Sequence, residues 1–394
     1  MFGLSFFTSK SGLSIFSSLL IIISIFYVDW KAFAKEKWLV LFVMSLPLGM
    51  FLNLFSLGGW ESSLKFFLGN PWPLMVIPGF HLIKQNKELR FFLWPLSISL
   101  AAAMLKSASI FYFEHGLVFN SRTRVQSFFD IGRWGQFVGA AAIALMGLSY
   151  SSIVKTRKLT LYVWILFALT CVSLMLSNTR GPWLGFVVGA IFTALAMRRF
   201  YKTFVFLAAG FTVVVCLNDG VLARVNSIFK VERDTSGRVT SQDGSNAGRL
   251  HMWKVALDRL PQYPFFGTGF GNSEEPMKVF LRSKNSEYLE RYTGIEFSYN
   301  DAHSSYLQSL LEMGIIFAIY FWGLLGSYFL CLAKKIWFEK VTNPVVSSAM
   351  ILFNLVLYIF YSSYAGYEAI LLSVAFLIVY VDMSGSISGK AKFS

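Results

Sequence analysis

The stretch SIFSSLLIIISIFYV, residues 14–28, is an apolar run without a charged residue, and similar runs recur along the chain. Each is roughly 15 to 20 residues long, about the length that an α-helix needs to cross the hydrocarbon core of a bilayer. The runs do not alternate between apolar and polar residues as the strands of a transmembrane barrel do. The sequence therefore predicts an all-α fold, a polytopic bundle of transmembrane helices.

Composition and charge support a membrane protein. Of the 394 residues 55% are hydrophobic and only 14% charged, and the mean hydropathy of +0.57 lies outside the range of soluble domains. The net charge of +14 comes from short basic clusters between apolar runs, a pattern typical of topology signals. We therefore expect contact with membrane lipids and no nucleic-acid partner. The cysteines Cys171, Cys216 and Cys331 lie inside apolar segments and have no metal-like spacing.

The basic clusters alternate with connections that lack them, which predicts eleven spans, an external N-terminus and a cytoplasmic C-terminus. A twelfth helix within the first thirty residues or near 56–70 stays open. The predicted spans are 12–29, 38–56, 71–83, 91–105, 134–152, 159–177, 183–197, 202–217, 305–333, 344–361 and 367–382. The chain then divides into N-terminal transmembrane helices (1–217), an external loop (218–303), and C-terminal transmembrane helices with a cytoplasmic tail (304–394).

The external loop contains the segment RLHMWKVALDRL, residues 249–260. Its Leu250, Trp253, Leu257 and Leu260 repeat at helical spacing, which predicts an amphipathic helix that ends at Pro261 and lies against the membrane. The alternative is an inert spacer, although a loop of this length is usually functional.

The string NDAHSSYLQSLLEMG, residues 300–314, carries polar residues into the start of an apolar span. As an N-cap, Asp301 would place His303 in the first helical turn, where the helix dipole favours a neutral imidazole that can accept a proton. The alternative is an interfacial histidine bonded to a loop carbonyl. Glu312 is nine residues further on, about 13 Å along a helix, and cannot orient His303 directly. A partner for His303 would come from another segment, and Glu312 is equally consistent with a carboxylate paired inside the bundle.

Two arginines belong to the same external face. Arg180 lies in the tight turn SNTRGPWLG, residues 177–185, where Pro182 suits the first turn of a helix and Trp183 suits the membrane interface. Its guanidinium could hold a phosphate or simply reach lipid phosphates. Arg249 begins the amphipathic helix and could instead be a solvated charge. The glycine-rich run FFGTGFGN, residues 265–272, lacks the strand and lysine of a P-loop and indicates turns.

One histidine, two arginines and the positive ends of at least two helices suit a pyrophosphate held at the lipid–water boundary. No cluster of carboxylates, histidines or cysteines has metal-ligand spacing, so the sequence predicts a reaction without a bound metal.

The segments NTRGPWLG, GRLHMWKVALDRLPQYPFFGTGFGN and NDAHSSYLQSLLEMG, in this order, resemble the O-antigen ligase family of bacterial inner-membrane proteins. The superfamily also includes O-antigen polymerases and protein O-oligosaccharyltransferases. The resemblance runs from about residue 120 to residue 325. It implies a GT-C-like glycosyltransferase with about twelve helices and a periplasmic loop, without a cofactor.

By this resemblance the chain would transfer polysaccharide from undecaprenyl pyrophosphate to lipid A-core, with inversion and with its active site facing the periplasm. The family's histidine falls on His303 and its arginines on Arg180 and Arg249. Further candidates for the site are Arg122, Arg124, Arg133, Asp301, Tyr306 and Glu312. A polymerase or a protein ligase would differ only in the acceptor. A transporter of lipid-linked substrate would instead carry ionisable residues near mid-membrane.

Overall fold

The computed structural model describes residues 1–84, 89–119, 123–149, 156–197, 244–284, 301–341, 344–362, 364 and 367–380. Within these ranges the regular structure is helical, which confirms the all-α prediction. The predicted span 202–217, the polar part of the external loop and the C-terminal tail after Tyr380 lie outside the described residues. The helices are α1 (Phe2–Ser5), α2 (Lys10–Tyr27), α3 (Trp30–Phe33), α4 (Lys37–Asn53), α5 (Gly59–Gly69), α6 (Val76–Lys84), α7 (Leu89–His115), α8 (Ile131–Leu148), α9 (Arg157–Leu176), α10 (Arg180–Ala196), α11 (Gly244–Arg259), α12 (Glu274–Arg282), α13 (Ser305–Trp337), α14 (Pro344–Phe360) and α15 (Ile370–Ile378).

Six helical segments in the described ranges are long and apolar enough to cross a membrane by length and composition. They are Lys10–Tyr27, Gly59–Lys84, Trp94–His115, Ile131–Leu148, Arg157–Leu176 and Ser305–Trp337, and three shorter apolar helices are Lys37–Asn53, Arg180–Ala196 and Pro344–Phe360. The prediction of a polytopic bundle is confirmed. The region near 56–70, where a further helix was left open, contains α5, which continues through a 3-10 turn (Trp72–Met75) into α6.

Helices α8, α10, α13 and α14 form the part of the bundle that carries the candidate site. Helix α14 packs against both α10 and α13, and α8 packs against α10 and α14. Small residues permit this close approach. A Cβ atom at Gly139 would lie 2.7 Å from the Phe353 ring, and one at Gly147 would lie 2.1 Å from Val346. The N-termini of α8, α10 and α13 lie at one side of the bundle, where Gly132 and Gly181 approach Tyr361 and the Ser305 N–H donates to the Tyr361 carbonyl.

The span 305–333, predicted as one helix, is two helices that meet at Gly314. Gly314 has φ 74° and ψ 176°, outside the helical region. Tyr306 and Trp322 each lie eight residues from this break, about 12 Å along their helices. Nevertheless their rings are 4.4 Å apart, and the Trp322 indole N–H donates to the Ser309 hydroxyl at 2.9 Å. The outer arm, 305–313, therefore folds back against the start of the inner arm, and the single-helix prediction is wrong.

The glycine-rich run satisfies the backbone groups that the break leaves unpaired. The N–H groups of Thr268 and Gly269 donate to the carbonyls of Leu311 and Glu312 at 2.9 and 2.8 Å. The Ile315 N–H in turn donates to the Pro264 carbonyl at 2.8 Å. Gly267, Gly269 and Gly271 all have positive φ. The positive φ angles confirm the predicted turns. These turns supply hydrogen-bond partners for the backbone groups at the break, which matters because unpaired backbone groups are costly within or beside a membrane.

Helix α11 confirms that the segment is helical, but it buries residues other than those of the predicted apolar face. It ends at Arg259 and continues as a 3-10 turn, Leu260–Gln262, which contains the predicted stop at Pro261. Its buried apolar residues are Met252, Val255 and Ala256, and the helix packs against the 305–313 arm of α13, whereas Leu257 is 53% exposed. The helix has two apolar faces. The face with Val255 and Ala256 is buried, and it packs against Met277 and Phe280 of α12.

Replacing Gly314 with alanine should destabilise the fold. The positive φ disfavours any side chain, and the new Cβ would lie 2.1 Å from the Phe265 carbonyl oxygen. We expect a clear drop in the thermal unfolding temperature of the purified protein in detergent. Gly323→Ala and Gly326→Ala are matched controls on the same helix, where a Cβ meets nothing within 4 Å and should be tolerated. Equal unfolding temperatures for Gly314→Ala and the wild type would contradict the assigned role of the break.

Candidate active site

His303 is held by a carboxylate two residues before it in the chain. The Nδ1 atom of His303 lies 3.2 Å from Oδ2 of Asp301, and the His303 main-chain N–H donates to Oδ1 of Asp301 at 2.6 Å. The Ser362 hydroxyl also donates to Oδ1. His303 has φ 47°, a left-handed conformation that brings its side chain back toward Asp301. With Nδ1–H donated to Asp301, Nε2 becomes the nitrogen that can accept a proton.

This arrangement corrects two predictions. The N-cap of α13 is Ser304, and the helix begins at Ser305, so Asp301 is not the cap and His303 precedes the first turn. The argument from the helix dipole for a neutral imidazole therefore loses its geometric basis. The partner of His303 was expected from another segment, whereas Asp301 in its own segment supplies it.

The Asp301 carboxylate keeps its charge in this setting. Burial opposes ionisation, but the hydrogen bonds from His303 and Ser362 outweigh it and hold the pKa of Asp301 below its usual value. The carboxylate is therefore ionised throughout the neutral range, and a negative oxygen faces Nδ1 of the imidazole.

The predicted arginines converge beside this pair. Arg249 interacts electrostatically with Arg180 and Arg124, and on the other side with Asp301 and Tyr361. Burial, together with the two neighbouring guanidinium groups, lowers the pKa of Arg249, although arginine remains protonated in proteins. The like charges of Arg180 and Arg124 disfavour the charge on Arg249, and a bound anion would relieve this repulsion. The arrangement is suited to binding a multiply charged anion such as a diphosphate.

The turn 177–179 fixes Arg180 relative to Arg124. The Asn178 side-chain amide donates to the Thr123 carbonyl at 2.9 Å, and the Val125 N–H donates to the Leu176 carbonyl at 2.9 Å. The segment that carries Arg124 is thereby tied to the end of α9, one turn from Arg180. Helix α10 begins at Arg180, as the position of Pro182 predicted. Trp183, predicted at the membrane interface, is instead buried and donates its indole N–H to the Leu174 carbonyl at 2.8 Å.

The remaining candidates have other positions. Arg133 pairs with Asp130, at 2.6 Å, and with Glu368. Tyr306 donates to the Leu355 carbonyl at 2.9 Å and packs on Trp322 inside the bundle. Arg122 lies outside the described residues. Arg133 is therefore paired with carboxylates of the protein, and Tyr306 is hydrogen-bonded and packed inside the bundle.

Glu312 is a buried carboxylate paired within the protein, the alternative that the sequence left open. It accepts hydrogen bonds from the Gln308 amide, the Tyr364 hydroxyl and the Gly271 N–H at 2.8, 2.8 and 3.2 Å. Gln308 also accepts from the Ala302 N–H at 2.8 Å, next to His303. Glu312 is therefore connected to the segment of His303 only indirectly, through the side-chain amide of Gln308.

Sequence reasoning missed three residues near the site. Ser362 orients Asp301, and Tyr361 interacts with Arg249 and Arg124. Arg259, only 1% exposed, donates to the Ser273 carbonyl at 3.1 Å and interacts electrostatically with Glu312. Nothing in the local sequence distinguishes these residues, because Tyr361 and Ser362 follow α14 and Arg259 ends α11, both far along the chain from His303. Among the described residues no three histidine, cysteine, aspartate or glutamate side chains could hold a metal ion together.

Comparisons with known proteins agree with the resemblance seen in the motifs. A protein from Rickettsia felis named "Putative polysaccharide ligase" is 28% identical over 261 residues, which cover 64% of this chain and 57% of the relative. A second protein so named, from Rickettsia conorii, is 27% identical over 192 residues, 48% of this chain and 40% of the relative. An uncharacterized protein from Haemophilus influenzae is 24% identical over 191 residues, 45% of each chain. The chain thus spans about half the length of the curated relatives it matches.

The family comparison covers the segment that carries the site. Residues 165–322 match the family model described as O-Antigen ligase, and this range includes Arg180, Arg249, Asp301 and His303. Arg124 and Tyr361 lie outside it, although the fold brings them to Arg249. The match to residues 165–322 confirms the resemblance to the O-antigen ligase family that the sequence motifs indicated.

Proposed function

We propose that this chain is a glycosyltransferase of the bacterial inner membrane that transfers polysaccharide from undecaprenyl pyrophosphate to lipid A-core at the periplasmic face. One observation carries the proposal: His303, oriented by Asp301, lies beside a cluster of Arg249, Arg180 and Arg124. A proton acceptor next to a diphosphate site is the minimum that such a transfer needs.

In the proposed reaction the acceptor sugar hydroxyl attacks the anomeric carbon of the donor. The bond from that carbon to the phosphate oxygen breaks, and undecaprenyl pyrophosphate leaves with the electron pair. The hydroxyl proton passes to Nε2 of His303, while Asp301 stabilises the imidazolium that forms. Arg180 and Arg249 stabilise the negative charge that develops on the diphosphate. Attack opposite the leaving group inverts the anomeric centre.

An apolar cavity of about 350 Å³ supports a lipid-linked donor. It lies between α7, α8 and α9 and is lined along α8 from Phe137 to Leu148. Helix α8 starts at Ile131, at the end away from Leu148. In its first turn Gly132 lies against Tyr361, which interacts with Arg249 and Arg124. One helix thus connects the proposed diphosphate site with an apolar space, and we assign that space to part of the donor's isoprenoid chain.

The central test uses purified protein with undecaprenyl-pyrophosphate-linked glycan and lipid A-core. His303→Ala should lower the transfer rate about 10²- to 10⁴-fold, because the proton acceptor is lost. Arg180→Ala should lower it by about 10²- to 10³-fold, because charge stabilisation is lost. The matched controls are His115→Ala, at the end of α7, and Arg282→Ala, exposed on α12, and both should transfer at the wild-type rate.

One outcome would contradict the proposed site, and two would contradict the proposed function. Equal transfer by the wild type, His303→Ala and Arg180→Ala would reject the site. If the wild type lengthened the lipid-linked glycan and left lipid A-core unmodified, the protein would be a polymerase. Transfer to a protein acceptor alone would make it a protein O-oligosaccharyltransferase.

Asp301→Asn tests how the histidine is held. Its amide keeps the shape of the side chain but removes the charge that favours a protonated imidazole. We expect a lower kcat with little change in donor KM, because the amide cannot stabilise the imidazolium that forms during the reaction. Steady-state kinetics over a range of donor concentrations measure both constants. A wild-type kcat in Asp301→Asn would show that the carboxylate does not act on the proton acceptor.

Filling the apolar cavity should raise the KM for a donor with a long isoprenoid more than for a donor with a short one. Ala141 lines the cavity, and Ala141→Phe would occupy part of the space assigned to the isoprenoid. The KM should rise for a donor on undecaprenol and stay near wild type for a donor on a short isoprenoid. Val172→Phe, at a 52% exposed position on α9, is the control. An equal change for both donors would contradict the assignment of the cavity.

A further inference from the structure

Tyr361 lies at the point where three helices bring their N-termini together. It follows α14, and its main-chain carbonyl accepts hydrogen bonds from the Ser305 N–H at 2.9 Å and from the Ser305 hydroxyl at 2.5 Å. Its backbone is therefore anchored to the start of α13. Tyr361 is therefore held by the first turn of α13, which begins two residues after His303.

The Tyr361 ring occupies a space that Gly181 leaves open, and it lies in ordinary contact with Gly132. A Cβ atom at Gly181 would lie 2.6 Å from Cε2 of the ring, and one at Gly132 would lie 3.4 Å from Cε1. Gly181 is in the first turn of α10, directly after Arg180, and Gly132 is in the first turn of α8. Because Gly181 has no side chain, the Tyr361 ring can lie beside the residue that follows Arg180.

The phenol of Tyr361 lies near two guanidinium groups. Tyr361 interacts electrostatically with Arg249 and Arg124, and less strongly with the Asp130 carboxylate. Arg249 in turn interacts with Arg180. In the part of the chain that the structure describes, its hydroxyl donates no hydrogen bond. By contrast, the hydroxyls of Tyr306, Tyr320 and Tyr364 all donate to protein acceptors.

The phenol stays protonated in the neutral range. Burial raises the pKa of Tyr361, and the nearby Arg249 and Arg124 only partly oppose this effect. The group is therefore an O–H donor beside two guanidinium groups. A hydroxyl there offers a hydrogen bond to an anion with several acceptor oxygens.

We infer that Tyr361 is a binding residue of the diphosphate site, where its hydroxyl donates a hydrogen bond to a phosphate oxygen held between Arg249 and Arg124. This inference rests on the proposed function, since it takes the anion to be the diphosphate of the lipid-linked donor. No proton is transferred in this role. Tyr361 binds the ground state and the departing diphosphate alike, so its effect belongs mainly to donor affinity.

The experiment measures binding and transfer separately for Tyr361→Phe, which keeps the ring in its glycine-lined space. Binding of undecaprenyl pyrophosphate, without glycan, is measured with the full chain in nanodiscs. Loss of a hydrogen bond to a charged group should weaken it about 10- to 100-fold. The donor KM should rise to a similar extent, and the acceptor KM should stay unchanged. Tyr320→Phe, whose hydroxyl donates to the Leu41 carbonyl at 2.6 Å, is the matched control and should bind like the wild type.

The outcomes separate this inference from the proposed function. If the wild type transfers glycan and Tyr361→Phe matches it in lipid binding and donor KM, the inference is wrong and the function stands. If Tyr361→Phe raises the acceptor KM alone, the hydroxyl contacts the acceptor and the inference is also wrong. If Tyr361→Phe weakens lipid binding but the wild type transfers no glycan, the binding role stands and the proposed function fails.

Discussion

The hydrogen bonds between the glycine-rich run and the break at Gly314 connect the loop segment 244–272 to the membrane helices. Thr268 and Gly269 donate to the carbonyls of α13, and the loop receives the Ile315 N–H in return. Because α11 precedes this run directly, the same bonds fix the helix that carries Arg249. The outer arm of α13 and helix α11 then share the small apolar core around Val255 and Leu311. The relative position of Arg249 and His303 depends on this junction.

The chemistry of the site follows from charges placed in a partly buried space. Arg249, Arg180 and Arg124 come from three separate segments, so their convergence is a property of the fold and not of any one motif. Asp301 is the nearby counter-charge, but its oxygens are engaged by His303 and Ser362. The carboxylate is therefore directed to the imidazole, while Arg249, Arg180 and Arg124 supply positive charge nearby. This arrangement suits a reaction that needs one proton acceptor and much stabilisation of a leaving anion.

Much of the fold could be predicted from the sequence, because long apolar runs between basic clusters leave few alternatives to a helical bundle. The arginines and the histidine could also be assigned to one face. The break in α13 could not, since a glycine in an apolar helical pattern does not reveal its φ angle. Nor could the Asp301–His303 pair, which requires a left-handed conformation at a residue other than glycine. For α11, two apolar faces were possible, and only Met277 and Phe280 of α12 decide which one is buried.

The electrostatic interaction of Arg249 with Arg180 and Arg124 has a consequence for turnover under the proposed function. The diphosphate that leaves carries at least the charge of the diphosphate that arrived, so a cluster that attracts the donor also retains the spent carrier. Its isoprenoid is unchanged by the reaction and still fits the same apolar cavity. Product inhibition is then built into the recognition of the donor, and release of the carrier becomes a slow step. The glycan chain, which is the part lost in transfer, is what distinguishes a new donor from the carrier it must displace.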